Sequence, residues 1–179
     1  MSTRIQTIAV IGAGRDGREI ACAALRAGYR TILEDVSDLR LQQAVEWIAS
    51  TSADASSRLV LSRTVEGAIR EADLIIEAVA EEMEIKIEMF TIFDKFAKPN
   101  AIFASTSRLV SIADLAAMTF CPERCIGVRF VSAAGQVDTL EVVRAPQTSE
   151  DTVATCREVL RRMGKDVTIV HESELTELR

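Results

Sequence analysis

Short apolar runs alternate with amphipathic segments along the whole chain, and this alternation limits the possible folds more than any other feature. Strand-sized runs are predicted at 7–11, 29–35, 58–62, 74–79, 101–104, 124–131, 139–143 and 166–170. Helical spacing is predicted at 14–27, 38–50, 64–71, 83–97, from 111 onwards and at 149–163. Strands that alternate with helices in this way are typical of a parallel sheet covered on both faces. The sequence therefore predicts one α/β domain with a doubly wound, mostly parallel sheet of about eight strands.

Composition indicates a folded unit and argues against several classes of function. The chain has 179 residues, of which 48% are hydrophobic, and its formal net charge is −6. Its apolar runs are far shorter than the ~20 residues of a membrane span, and lysine and arginine form no stripe typical of nucleic-acid binding. The amino-terminal stretch does not have the layout of a signal peptide. We therefore expect a cytoplasmic protein that binds neither membrane nor nucleic acid.

Cysteine and histidine side chains are the first candidates for a metal site. The chain has four cysteines and one histidine, which are Cys22, Cys121, Cys125, Cys156 and His171. Only Cys121 and Cys125 lie close together in sequence, whereas zinc sites require four ligands at recognisable spacing. We therefore expect reduced thiols, a solvent-exposed histidine and no metal site.

The first apolar run leads through Gly12-Ala-Gly14-Arg-Asp-Gly17 directly into a helix. G-x-G-x-x-G between a strand and a helix is typical of dinucleotide binding in a Rossmann-type domain. In this interpretation Gly12 makes the tight turn, Gly14 lets the backbone approach a pyrophosphate, and Gly17 lets the helix pack closely on the strand. The helix N-terminus offers unpaired N–H groups to the phosphates. Asp16 places an anion in this turn, and Arg15 is expected to offset it.

An acidic residue follows the turn at the distance that this interpretation requires. Asp35 ends the second predicted strand, 18 residues after Gly17. Its carboxylate is expected to accept hydrogen bonds from ribose hydroxyls and to repel a 2′-phosphate, which favours NAD over NADP. Glu34 precedes it and is expected to point to the opposite face of the sheet. The predicted cofactor is therefore NAD.

Several stretches, taken in order, resemble one family. They are AVIGAGRDG, ADLIIEAVAEEMEIK, AIFASTSRLVSIADLA, PERCIGVRF and TLEVVRAPQTS. From about residue 5 to about residue 170, the chain resembles the NAD-binding domain of 3-hydroxyacyl-CoA dehydrogenases. The resemblance implies a Rossmann-type NAD-binding domain at 1–170 and a polar tail at 171–179, with the family's helical C-terminal domain absent. Whether the chain is a natural lone domain or a fragment is left open by the sequence.

The resemblance also implies which side chains face the cofactor. Ala78 and Glu81 fall in the strand and the turn that line it in the family. Lys86 falls where the family has a lysine near the nicotinamide, and Ser105 opens the segment that matches the family's S-N-T-S-S. Glu141 falls at the glutamate that orients the family's catalytic histidine.

Two catalytic positions of the family hold arginine in this chain. The catalytic serine corresponds to Arg108 and the general-base histidine to Arg129, and the separation of 21 residues is kept. The asparagine that follows the histidine in the family corresponds to Ser132. Because an arginine keeps its proton at any working pH, it cannot serve as the base. We therefore expect that the family's activity is lost and that Glu141 pairs with Arg129.

Three classes of function remain open. The first is an NAD-binding domain without dehydrogenase chemistry. The second is an NAD-dependent oxidoreductase that acts on a small anionic hydroxy acid held by Arg108, Arg129 and Lys86. Its base would come from Lys86, a partner chain or water. Arginines that only pair with acids and bind no ligand are an equal alternative. The third is a scaffold or oligomerisation module, which an apolar sheet face left uncovered would favour, for example as a homo-oligomer.

Overall fold

The computed structural model describes residues 4–52, 57–133, 136–164 and 166–176. Within these residues the strands are β1 (Thr7–Ile11), β2 (Arg30–Glu34), β3 (Leu59–Ser62), β4 (Leu74–Glu77), β5 (Ile102–Ser105), β6 (Cys125–Ala133), β7 (Gln136–Arg144) and β8 (Asp166–His171). They form one eight-stranded sheet in the order β3-β2-β1-β4-β5-β6-β7-β8. The predicted fold class, a doubly wound and mostly parallel sheet, is confirmed.

Helices cover both faces of the sheet. They are α1 (Arg15–Arg26), α2 (Asp38–Thr51), α3 (Val65–Ile69), α4 (Met83–Phe96), α5 (Ile112–Ala116), α6 (Glu150–Arg162) and α7 (Glu172–Thr176). A 3-10 turn, Pro122–Arg124, precedes β6. One apolar core lies between the sheet and α1, α2 and α6, and a second lies between the sheet and α3, α4 and α5.

The direction of the strand order reverses at β1, and this reversal positions the candidate site. β1 pairs in parallel with β2 on one side and with β4 on the other. Ile11 is the register partner of both Glu34 and Glu77, so three strand ends lie side by side at this point. In open α/β sheets, ligands bind in the crevice outside the carboxyl ends of the strands where the order reverses.

Helix caps follow the sequence closely. Ser37, Thr64, Ser111 and Ser149 precede α2, α3, α5 and α6, and each side chain accepts a hydrogen bond from an N–H of the first turn. Each of these contacts satisfies a donor that would otherwise have no partner. Helix α1 differs, because its N-cap is Gly14 and no side chain caps it.

The strands that follow β5 differ most from expectation. β6 and β7 cover nine residues each, longer than predicted, and they pair with each other in antiparallel orientation. A two-stranded hairpin needs no crossover helix, so the alternation of strands and helices does not reveal it.

Part of the predicted polar tail also takes regular structure. α7 places the Glu172 carboxylate 2.5 Å from the N–H of Ile112 and 3.0 Å from that of Ala113, at the start of α5. Residues 53–56, in the polar stretch between α2 and β3, lie outside the described residues. No helix in the part of the chain that the structure describes is long and apolar enough to cross a membrane.

Candidate functional site

The glycine turn between β1 and α1 has the geometry that each predicted role requires. Gly12 has a φ of +100°, and a Cβ there would lie 2.7 Å from the Ala78 carbonyl oxygen. A Cβ on Gly17 would lie 1.8 Å from the Gly12 carbonyl oxygen. A Cβ on Gly14, by contrast, would meet no heavy atom within 4 Å. The backbone is therefore tightly packed behind the turn and open in front of it, where the uncapped α1 N-terminus can face an anion.

Asp35 lies directly beside this turn. Its Oδ2 accepts a hydrogen bond from the Ala13 N–H at 3.0 Å, and its Oδ1 accepts one from the Ser37 N–H at 2.9 Å. The side chain is almost fully buried, and Arg40 Nη1 lies 3.7 Å from Oδ2. These contacts hold the carboxylate in one position, and its remaining lone pairs can accept from ribose hydroxyls. The sequence interpretation did not single out Arg40.

A cleft of about 700 Å³ extends from the turn across the ends of β2 and β4 to α4. Its polar end is formed by the glycine turn, including Arg15 and Asp16. Its other end is apolar and is lined by Val36, Val65, Ala78, Val79, Ile85 and Met89. Ala78 lies in the lining, as predicted. The volume and the separation into a polar and an apolar end suit the adenosine half of a dinucleotide.

Glu34 also lines this cleft, although strand alternation predicted that it would face away from Asp35. β2 ends at Glu34, so Asp35 lies beyond the strand, where alternation no longer applies. Only 3% of Glu34 is exposed, and its Oε1 has no hydrogen-bond partner among the described residues. Burial and then the charges of Asp35 and Glu66 raise the pKa of Glu34 to about 7, and a hydrogen bond from the Gly12 backbone offsets only part of this.

A buried ion pair lies beyond the cleft, beneath the end of β4. Lys86 is fully buried, and its Nζ donates to Glu77 Oε1 at 2.8 Å and to Oε2 at 2.9 Å. Ser105 Oγ donates to the same carboxylate at 2.6 Å, and so does the Val79 N–H at 2.8 Å. Sequence reasoning missed Glu77, the centre of this cluster. Because the charge of Lys86 is paired and buried here, direct contact of Lys86 or Ser105 with a cofactor stays a prediction.

Glu81 holds the loop that follows β5. Its carboxylate accepts hydrogen bonds from the hydroxyl of Ser107 and from the N–H groups of Arg108 at 3.0 Å and Leu109 at 2.9 Å. Lys86 Nζ lies 3.6 Å away. Partial burial alone would raise the pKa of Glu81, but these donors, the hydroxyl of Ser107 foremost, together with the charge of Lys86 lower it below the ordinary value. The Glu81 carboxylate is therefore occupied by donors of the loop after β5.

The structure brings Arg108 and Arg129, the two arginines predicted to stand at catalytic positions, to this same loop. Arg108 is exposed, whereas Arg129 is half-buried and donates from Nε to the Ser107 carbonyl at 3.0 Å. Both arginines make further contacts. Glu141 is the register partner of Arg129 across β6 and β7. The pairing of their charged groups stays a prediction. Ser132 lies in β6, and its side chain is outside the described part.

The candidate metal ligands are dispersed. All four cysteines are free and buried, and His171 is exposed at the end of β8, as predicted. A hydrogen bond between Cys121 and Cys125 lowers the pKa of Cys121 to about 7 and raises that of Cys125. Within the described ranges, no group of three or more His, Cys, Asp or Glu side chains could hold a metal ion.

Comparison with known proteins gives a family match over nearly the whole chain. Residues 7–173 match the family described as 3-hydroxyacyl-CoA dehydrogenase, NAD binding domain. The chain is 34% identical to a 3-hydroxybutyryl-CoA dehydrogenase from Bradyrhizobium diazoefficiens, in an alignment that covers 94% of this chain and 62% of the relative. It is 33% identical to a probable 3-hydroxybutyryl-CoA dehydrogenase from Bacillus subtilis, covering 94% of this chain and 63% of the relative. The chain thus spans less than two thirds of the length of these relatives.

A solved structure supports the same relationship. A 3-hydroxybutyryl-CoA dehydrogenase from Escherichia coli K12 superimposes with a TM-score of 0.87 and is 28% identical. That comparison covers 94% of this chain and 39% of the other.

Proposed function

The chain belongs to the family of 3-hydroxyacyl-CoA dehydrogenase NAD-binding domains, and on this premise we propose that it binds NAD(H) but does not by itself carry out the family's alcohol oxidation. NAD, the cofactor of the family, is the one that the glycine turn and Asp35 predict. The proposed NAD-binding unit is 1–170, and a cytoplasmic location is part of the proposal.

The cleft supports the binding half of this proposal. The open space in front of Gly14 and the uncapped start of α1 would receive the pyrophosphate. The fixed carboxylate of Asp35 would accept from the adenosine ribose. The apolar end would accommodate the adenine ring between Val36 and Met89.

The presence of arginine at position 129 supports the second half of the proposal, the absence of alcohol oxidation. Oxidation of an alcohol by NAD requires a group that takes the hydroxyl proton as hydride leaves carbon. A guanidinium with a pKa above ~12 cannot take it. Glu77 and Glu81 are poor replacements, because Glu77 is buried against Lys86 and Glu81 accepts from three donors of one loop. Binding without turnover is the expected consequence.

The test separates binding from turnover. The purified chain is titrated with NADH by calorimetry, and production of NADH from NAD and a 3-hydroxyacyl-CoA is followed by absorbance. We expect saturable NADH binding and no steady production of NADH. The variant Arg129→His is the matched control for the base, and it is expected to bind NADH as the wild type does. Absence of binding at millimolar NADH would contradict the first half, and steady NADH production by the wild type would contradict the second.

A second candidate function is an NAD-dependent oxidoreductase that acts on a small anionic hydroxy acid. Arg108 and Arg129 flank the same loop, and two guanidiniums suit a carboxylate. Lys86 is a poor candidate for the base or for a third cation, because it is fully buried and paired. The base would have to come from water or from a partner chain, such as a second copy in a homo-oligomer. Production of NADH from a panel of small hydroxy acids, lost in Arg129→Ala, would favour this candidate.

A further inference from the structure

One polar atom in the cleft remains unexplained by the phosphate and ribose contacts. Glu34 Oε1 is buried and has no hydrogen-bond partner among the described residues, yet its side chain lines the cleft. A buried polar atom without a partner is destabilising by about 1–3 kcal/mol, so such atoms are rare and usually have a role. A ligand that donates a hydrogen bond at this point would remove that cost.

The order of groups in the cleft indicates what would reach Glu34. If phosphates bind at the glycine turn and a ribose at Asp35, the base lies in the apolar end beyond them. Val36 is 82% exposed on one side of this end, and Ile85 and Met89 of α4 lie on another. Glu34 follows Ile32 on the sheet face that packs against α3 and α4, and its side chain lines the cleft between the glycine turn and this end.

We propose that Glu34 reads the base of the bound dinucleotide by accepting a hydrogen bond from the exocyclic amino group of adenine. This inference rests on the proposed NAD(H) binding and adds a specificity determinant to it. Adenine presents an amino donor where hypoxanthine presents a carbonyl acceptor. An ionised carboxylate can only accept, so it pairs with the amino group and not with the carbonyl, whereas a protonated carboxyl could also donate to the carbonyl.

The charges around Glu34 favour a donor rather than an acceptor. Asp35 follows the end of β2, Glu66 lies on α3, and Asp16 of α1 lines the same cleft. The cations in the lining are Arg15 and Arg40, and Arg40 Nη1 lies 3.7 Å from Asp35. Excess negative charge attracts the positive end of an amino N–H and repels a carbonyl oxygen.

The test compares two dinucleotides whose bases differ in the group at C6 and in the proton that hypoxanthine carries on N1. The wild-type chain, Glu34→Gln and Glu34→Leu are titrated by calorimetry with NADH and with reduced nicotinamide hypoxanthine dinucleotide. At pH ~8, where most of Glu34 is ionised, we expect the wild type to bind NADH on the order of tenfold to a hundredfold more tightly than the hypoxanthine dinucleotide, as one charged hydrogen bond predicts. Glu34→Gln should bind the two within about threefold of each other, because its amide can also donate to the hypoxanthine carbonyl. Glu34→Leu should bind NADH more weakly than the wild type does, and it should therefore lose the preference for NADH over the hypoxanthine dinucleotide.

The outcomes distinguish the two levels of the proposal. Equal affinity of the wild type for both dinucleotides, or an undiminished preference in Glu34→Leu, would overturn the role of Glu34 and leave NAD(H) binding intact. Binding of neither dinucleotide at millimolar concentration would overturn both. The wild-type comparison requires no substitution, so it decides the question even if a variant fails to fold.

Discussion

Replacement of Glu34 by glutamine should flatten the pH dependence of the stability of the free chain. In the folded chain the pKa of Glu34 is raised from 4.5 to about 7, chiefly by burial and then by the charges of Asp35 and Glu66. The folded state therefore binds this proton more tightly than the unfolded state does. The stability that protonation contributes is complete below pH ~4.5 and is lost as the pH rises through about 7.

The magnitude follows from the size of the shift. A difference between 4.5 and about 7, at ~1.4 kcal/mol per pH unit, corresponds to about 3 kcal/mol of unfolding free energy over the whole titration. Between about pH 5 and about pH 9, roughly 2.5 kcal/mol of this should be lost. Glutamine keeps the size and one acceptor oxygen but does not titrate. The unfolding free energy of Glu34→Gln should therefore rise by about this amount relative to that of the wild type as the pH rises.

Urea unfolding of both proteins at a series of pH values, without nucleotide, measures the difference. Glu88→Gln, on the exposed side of α4, is the matched control for loss of one negative charge. Its curve should run parallel to that of the wild type. If the curve of Glu34→Gln also runs parallel to that of the wild type, then Glu34 does not titrate between about pH 5 and about pH 9. In that case burial and the neighbouring acids do not raise its pKa into this range.

Three further substitutions test the packing around the site. Gly12→Ala should abolish NADH binding and destabilise the chain by about 1–3 kcal/mol, which is more than Gly28→Ala should cost. Both glycines have positive φ, but only a Cβ on Gly12 would meet a neighbouring atom within 4 Å. Titration with NADH and urea unfolding measure the two effects, and equal losses of stability in the two variants would contradict the packing reason. Lys86→Met should cost about 3–5 kcal/mol by leaving Glu77 buried without its cation; addition of Glu77→Gln should recover much of it, and additive losses in urea unfolding would argue against the pair. Glu172→Gln should destabilise the chain by about 1 kcal/mol by weakening two hydrogen bonds to the start of α5; unchanged stability would mean that α7 does not hold this helix.

The elements that could be predicted are those with local causes. β4 was found because Leu74, Ile75 and Ile76 form an apolar run that a covered parallel strand requires. The glycine turn was found because its spacing reflects a backbone constraint at each glycine. In both, the residues that determine the structure are neighbours in sequence.

The features that were missed depend on contacts between distant residues or on where a strand ends. Glu77 ends an apolar strand, and its partner Lys86 lies nine residues later on a helix, so no periodicity connects them. The position of Glu34 was predicted from alternation, which holds only if the strand continues through Asp35. The antiparallel pairing of β6 and β7 depends on a hairpin, which the alternation of strands and helices does not signal.

The two halves of the crevice differ in how their polar groups are satisfied, and this difference supports binding without chemistry. At the ends of β4 and β5, Glu77 and Glu81 are occupied by Lys86, by serine hydroxyls and by loop N–H groups. A ligand there would have to displace contacts that the chain already makes. At the ends of β1 and β2, the start of α1 has no side-chain cap and Glu34 Oε1 has no partner among the described residues. A hydrogen bond gains most where the protein group had no partner before, so the nucleotide half is where a ligand gains free energy of binding.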